Sequence, residues 1–200
     1  MDVKIKKDGK VKLYKGIKSW SDVTLKKWIE LISFHDRCKG EEAEGTIATF
    51  FEIPKRVIKE LSIKDVSVIL ESISEMQRKQ DTYLKRIIEI DGVKYGFHPD
   101  LDQISLGEFA DLEQILKVDI YKYLPDIMAI LYRPVTAEGE NGVYTIEPYD
   151  GNISIRSEIM KKMKAEQVQS ALVFFWGFVN VLLIPLELFL TEATKEMKMQ

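Results

Sequence analysis

Cysteine is nearly absent. Cys38 stands alone in 200 residues, which excludes a disulfide scaffold and a Cys-rich zinc site. Histidine is almost as scarce, with only His35 and His98. Eleven glycines and six prolines are too few for a collagen-like or low-complexity chain. Charge of one sign is not in excess either. The net charge of −3 gives no overall polycation that would seek nucleic acid, and no nucleic-acid partner is expected. Phosphate-binding GxxxxGK[ST] and GxGxxG loops and the GxSxG nucleophile turn do not occur. Met1–Lys7 carries no apolar run of the kind found in a secretory leader, so a reducing cytoplasm is the expected compartment.

What is present is apolar surface. Hydrophobic residues make up 46% of the chain, which is incompatible with a disordered polymer. Residues 1–18 alternate Val3, Ile5, Val11 and Leu13 with lysines across Asp8-Gly9, which predicts a β-hairpin with a solvated lysine face. The period then becomes helical. Leu25, Trp28, Ile29 and Ile32 form one stripe, with Ser21 as the expected N-cap and Lys39-Gly40 as the expected end. Short helices follow near 42–51 and 54–60, then a longer one from Ser62 with Val66, Ile69, Leu70, Ile73 and Met76 inward. Asp91-Gly92 between two apolar runs predicts a second short hairpin near 86–97.

Ser105-Leu-Gly-Glu108 reads as a capping box, opening a helix to about Lys117. A helix over about 120–131 stops before Pro134, and 136–142 reads as a turn-rich loop. Residues 144–149 read as extended or irregular. A helix near 153–163 leads to a long apolar one over 165–195. The fold class is therefore mainly α (α+β): a single helix-rich domain, 1–200, with an N-terminal hairpin arm.

Residues 171–190, ALVFFWGFVNVLLIPLELFL, are long enough to span a bilayer. Glu187 and Pro185 weigh against that, since a carboxylate and a freed carbonyl are costly in lipid. Ser170, Gly177, Asn180, Glu187, Thr191 and Thr194 share one sector of about 120° on a helical wheel, a polar stripe expected at the surface of a core or interface helix. Phe174, Phe175, Phe178 and Leu182 offer more apolar surface than one face needs, and are the expected partner-binding residues. Gly177 and Asn180 mark a place for a neighbouring backbone.

Candidate chemistry is thin. His35 and Cys38 lie three apart without an orienting group or oxyanion hole, so both read as helix-end residues, with Cys38 packed as a small apolar side chain. His98, Asp100 and Asp102 alternate donors in a loop and are weak metal candidates, although turn formation accounts for them. Glu138, Glu140 and Asn141 read as a loop. The aromatic residues, Trp20, Trp28, Trp176, Phe50, Phe51, Phe174 and Phe175, sit at core spacings. Arg133 is placed to pair with a carboxylate such as Asp111, Glu113 or Glu147. No cofactor, no metal and no enzymatic activity are expected.

Four blocks carry a resemblance: 95–113 (YGFHPDLDQISLGEFADLE), 124–135 (LPDIMAILYRPV), 144–149 (YTIEPY) and 171–175 (ALVFF). Together they resemble small helical proteins encoded among the virion genes of tailed bacteriophages, especially of Bacteroidota hosts. Trp20-Ser-Asp-Val-Thr-Leu25, followed by Ile53-Pro54 and Leu61, is similar to phage proteins described as tail-assembly-chaperone-like. The resemblance covers most of residues 20–176 and implies a non-enzymatic assembly protein. Its partners would be phage structural proteins, with a second copy of itself as a further candidate, in the host cytoplasm. A minor virion component (a connector or tail part) is the second reading, and a tail-anchored membrane protein the third. The resemblance assigns no residue a functional role.

Overall fold

The computed structural model describes residues 2–7, 10–34, 37–78 and 83–180. Among them are eight α-helices and two antiparallel sheets, an α+β fold. The sequence reads as one domain; by their contacts the residues group into two compact units. One comprises Met1–Thr82 with Lys164–Glu166, the other Tyr83–Met163 with Gln167–Gln200. No Gly/Pro-rich stretch marks the boundary at Thr82.

In the first unit β1 (Asp2–Lys7) and β2 (Lys10–Lys15) pair antiparallel, from Asp2 opposite Lys15 to Lys7 opposite Lys10. Side chains alternate faces along a strand, so Val3, Ile5 and Tyr14 turn onto the unit's core. That core gathers Trp20, Val23, Ile47, Phe50, Phe51, Ile53, Ile58, Ile69 and Ile73. Trp20 stacks on Phe50 with ring centroids 6.1 Å apart.

The four helices are α1 (Leu25–Ile32), α2 (Lys39–Phe51), α3 (Lys55–Ile58) and α4 (Ile63–Arg78). Ser21 is not the cap of α1. Trp20–Asp22 form a 3-10 turn, and the side chain of Thr24 accepts the Lys27 amide at 3.3 Å. Lys39-Gly40, expected to close α1, opens α2 instead. Ser33 ends α1 by donating its hydroxyl to the Glu30 carbonyl at 2.6 Å. Extended Cys38 then starts α2, whose first turn carries Glu41 and Glu42, carboxylates favoured at a helix N-terminus. Gly45 is needed here: a Cβ would lie 2.7 Å from the Phe34 ring.

The second unit is built on a sheet in the order β3-β4-β5-β6: Ile87–Ile90, Val93–Phe97, Tyr132–Glu138 and Tyr144–Ile146. Asp91 and Gly92 both have positive φ, 51° and 78°, as a tight hairpin turn requires. Helices α5 (Leu106–Leu116), α6 (Leu124–Leu131), α7 (Ile153–Met160) and α8 (Ala165–Phe178) complete the set.

Every residue of α6 except Asp126 is buried, which makes it the central helix of this unit. β5 follows α6 directly and takes in residues 136–138 of the expected turn-rich loop; the turn itself is confined to 139–142, where Asn141 and Gly142 have positive φ. Pro134 lies within β5, opposite Tyr95, and its carbonyl accepts the Glu147 amide at 2.9 Å. The register shifts between Val135 and Ala137, the kind of irregularity that lets a sheet accommodate proline. Gly96 lets β4 approach β6: a Cβ there would sit 2.5 Å from the Tyr144 ring, whose hydroxyl donates to the Phe97 carbonyl at 2.6 Å.

The helix expected over 165–195 is described as α8 to Phe178; residues 181–195 lie outside the described residues. Among the described residues no helix is long and apolar enough to cross a membrane.

Candidate functional site

The loop leaving β4 is built by its own polar atoms. The His98 amide donates to the Leu131 carbonyl at 2.7 Å, which ties the loop to α6. His98 Nδ1 accepts the Asp100 amide at 3.3 Å. Asp100 in turn accepts the Asp102 amide at 3.1 Å and the Gln103 side-chain amide at 2.8 Å. These are turn-forming bonds, and they engage His98 Nδ1 and both carboxylate oxygens of Asp100. Among the described residues no group of three His, Cys, Asp or Glu is placed to hold a metal ion.

Ser105 then starts α5 through a complete capping box. Its hydroxyl accepts the Glu108 amide at 3.3 Å, and Glu108 Oε2 accepts the Ser105 amide at 2.8 Å. The same carboxylate does a second task. Glu108 is 2% exposed, and its Oε1 lies 2.8 Å from Arg133 Nη2 on β5 and 3.6 Å from His98 Nε2. The partner of Arg133 is thus Glu108, rather than Asp111, Glu113 or Glu147.

Asp111 accepts the Tyr149 hydroxyl, and the Arg133 guanidinium stands 5.9 Å from the Tyr149 ring centroid. Arg156 pairs with Asp150 at 2.6 Å, which holds the Asp150 carboxyl well below the usual carboxylate range. Burial raises the Tyr149 hydroxyl, and its hydrogen bond to Asp111 adds to the effect. Serine, carboxylate and imidazole thus come together, but in the order Ser105–Glu108–His98. In a nucleophilic triad the imidazole must stand between the hydroxyl and the carboxylate. Here the Ser105 hydroxyl donates to Glu108 Oε2 at 2.5 Å, an arrangement that positions α5 against the sheet.

Burial holds the His98 imidazole below its ordinary value of 6.5, Glu108 opposes that, and Arg133 reinforces it. The folded chain therefore binds this proton less readily than the unfolded chain. Stability should be intact above about pH 6.5 and fall as pH drops through the lowered folded value. Urea midpoints at steps from about pH 7.5 to 5 should decline with a steeper slope for the parent chain than for His98→Asn. Equal slopes would mean that His98 is not held neutral by the fold.

Beside this network the second unit has an open groove of about 470 Å³. Leu84, Phe97, Leu101, Phe174 and Phe178 give it apolar walls, and Arg86, His98, Asp100 and Asp102 stand among its lining residues. The expected partner-binding residues divide here. Phe174 is 48% exposed, whereas Phe175 and Phe178 are buried at 0% and 7%; Leu182 lies outside the described residues. Val173 and Trp176 extend the open surface along α8. Ser170 departs from the expected surface stripe: it is buried, and its hydroxyl donates to the Gln167 carbonyl at 2.9 Å. No described atom approaches the Cβ position of Gly177 within 4 Å, so no neighbouring backbone sits there.

His35 lies outside the described residues. Cys38 is exposed rather than packed, since it precedes α2 in extended backbone. Glu138 pairs with Lys94 at 2.5 Å. Sequence reasoning missed Leu84, Arg86 and Leu101 as groove residues, because no local pattern marks them. Glu108 had a readable signal: the nearly uniform apolar run around Arg133 demands a buried counter-charge, and a capping-box glutamate has one spare oxygen.

Compared with protein-family models, with curated proteins and with solved structures, the chain matches none.

Proposed function

We propose that the chain is a non-enzymatic assembly protein of a tailed bacteriophage, acting in the host cell as a chaperone that covers an apolar surface of a structural subunit. The observation that supports this reading is the half-exposed aromatic edge of α8, Phe174 with Trp176, beside the apolar groove. Large apolar side chains left open together favour a protein partner, because isolated chains rarely leave a broad apolar patch to water. The blocks resembling phage virion-gene products supply the class of partner. The polar network behind the groove suits a rigid wall, since the capping box of Ser105 and Glu108 and the Glu108–Arg133 pair tie α5 to β5. A permanent place in the virion is the second reading.

Co-expression with each structural protein of the same phage tests the proposal. One of them should co-purify with the parent chain and gain solubility. Phe174→Glu, at an exposed position, should abolish that while leaving the melting temperature within about 2 °C, as surface substitutions do. Retention of no structural protein, or equal retention by the variant, would overturn the docking role.

A further inference from the structure

The first unit carries a second surface that the groove does not account for. Residues 1–18 hold seven lysines and two aspartates, a net charge of +5, so the rest of the chain carries −8. The register of β1 and β2 sorts part of that charge. Val3 opposite Tyr14, and Ile5, pack inward on the core. Lys4 opposite Leu13, and Lys15 opposite Asp2, lie on the other face, and Val11 follows Leu13 at strand spacing.

Lys4 and Lys15 are exposed, and neither forms an ion pair among the described residues. On the same face Val11 is 62% and Leu13 46% exposed. In the two-stranded sheet neither strand pairs with a further one among the described residues. Lysines alone serve to keep a sheet edge from pairing wrongly. An aliphatic pair beside them does the opposite, since it rewards any partner that covers it.

We propose that the solvent face of the β1–β2 ribbon is a docking surface for an extended protein segment in which acidic and apolar residues alternate. The free cations select acidic residues, and the period of two matches a strand laid along the ribbon. Val11 and Leu13 favour a protein segment over a nucleic-acid backbone, because a sugar-phosphate backbone has no aliphatic side chain to place against them. This inference is independent of what the groove of the second unit holds.

The test uses the full chain and a fluorescein-labelled peptide of about twelve residues alternating Glu with Val or Leu, read by anisotropy. Controls are the same peptide with Gln for Glu and a single-stranded DNA of similar length. The acidic peptide should bind. Its affinity should fall about tenfold in the double variant Lys4→Glu/Lys15→Glu and at least about threefold in Val11→Ser/Leu13→Ser. All four positions are exposed, and circular dichroism confirms that each variant is folded. Salt should weaken the complex, as for any exposed charge pairing. Equal binding of the Gln peptide, absence of binding, or DNA binding as tightly with Val11→Ser/Leu13→Ser unaffected would overturn the proposal.

Discussion

Glu108→Ala should lower the melting temperature by on the order of 10 °C. The carboxylate is almost fully buried, 2.8 Å from an Arg133 side chain that is itself only 5% exposed. Removing one member of such a pair strands the other charge in the interior, a loss of about 3–5 kcal/mol. In a chain of this size each kcal/mol is worth about 2–4 °C. The capping bond to the Ser105 amide is lost as well.

Two companion variants separate these contributions. Ser105→Ala removes only the cap and should cost about 1 kcal/mol. Glu108→Gln combined with Arg133→Met removes both charges and should be milder than Glu108→Ala, because replacing a buried ion pair by apolar packing is often close to neutral. Differential scanning calorimetry of the three ranks them. If Glu108→Ala melts like Ser105→Ala, the pair with Arg133 contributes nothing and the assigned network is wrong.

Phe175→Ala should be nearly as damaging, at about 3–5 kcal/mol, because a fully buried aromatic leaves a cavity that its surroundings only partly fill. Its ring lies 6.3 Å from that of Phe178 and 6.1 Å from that of Trp176. Phe178→Glu should be at least as destabilising, since it adds an unpaired charge to a position only 7% exposed. Phe174→Glu, one residue from Phe175, should melt like the parent. Chemical denaturation reads all three, and equal losses at Phe174 and Phe175 would contradict the division of α8 into a buried and an open face.

Much of the local structure was legible in the sequence. Ser105 and Glu108 carry their cap in four residues, and Asp91-Gly92 carries its turn in two. Both devices act between neighbours, so a local pattern contains them. β5 was not legible, because α6 and β5 lie in one largely apolar stretch over 124–135, broken only by Asp126 and Arg133, in which neither a period of two nor of 3.6 stands out. The pairing of Arg133 with Glu108 joins residues 25 positions apart, and Asp111, Glu113 and Glu147 are all closer in sequence. On α8 the hydrophobic residues run almost all the way round. Hydropathy therefore could not tell buried Phe175 and Phe178 from open Phe174. Ser170 was misjudged for a related reason: a small hydroxyl that bonds its own helix backbone can be buried at little cost.

The groove was legible only as an excess of apolar residues. Leu84, Phe97, Leu101 and Phe174 come from three separate stretches of the chain, and only the sheet and the loop after β4 bring them to one place. The lysine excess of the hairpin, by contrast, was visible from composition. Their separation from the inward residues needed the register of β1 and β2.

Quantitative mass spectrometry of purified particles, set against the infected-cell lysate, tests the assembly-chaperone account most directly. The account predicts abundant chain in the lysate during assembly and none at stoichiometric level in mature particles. A fixed number of copies per particle would contradict it, and would make the chain a virion component.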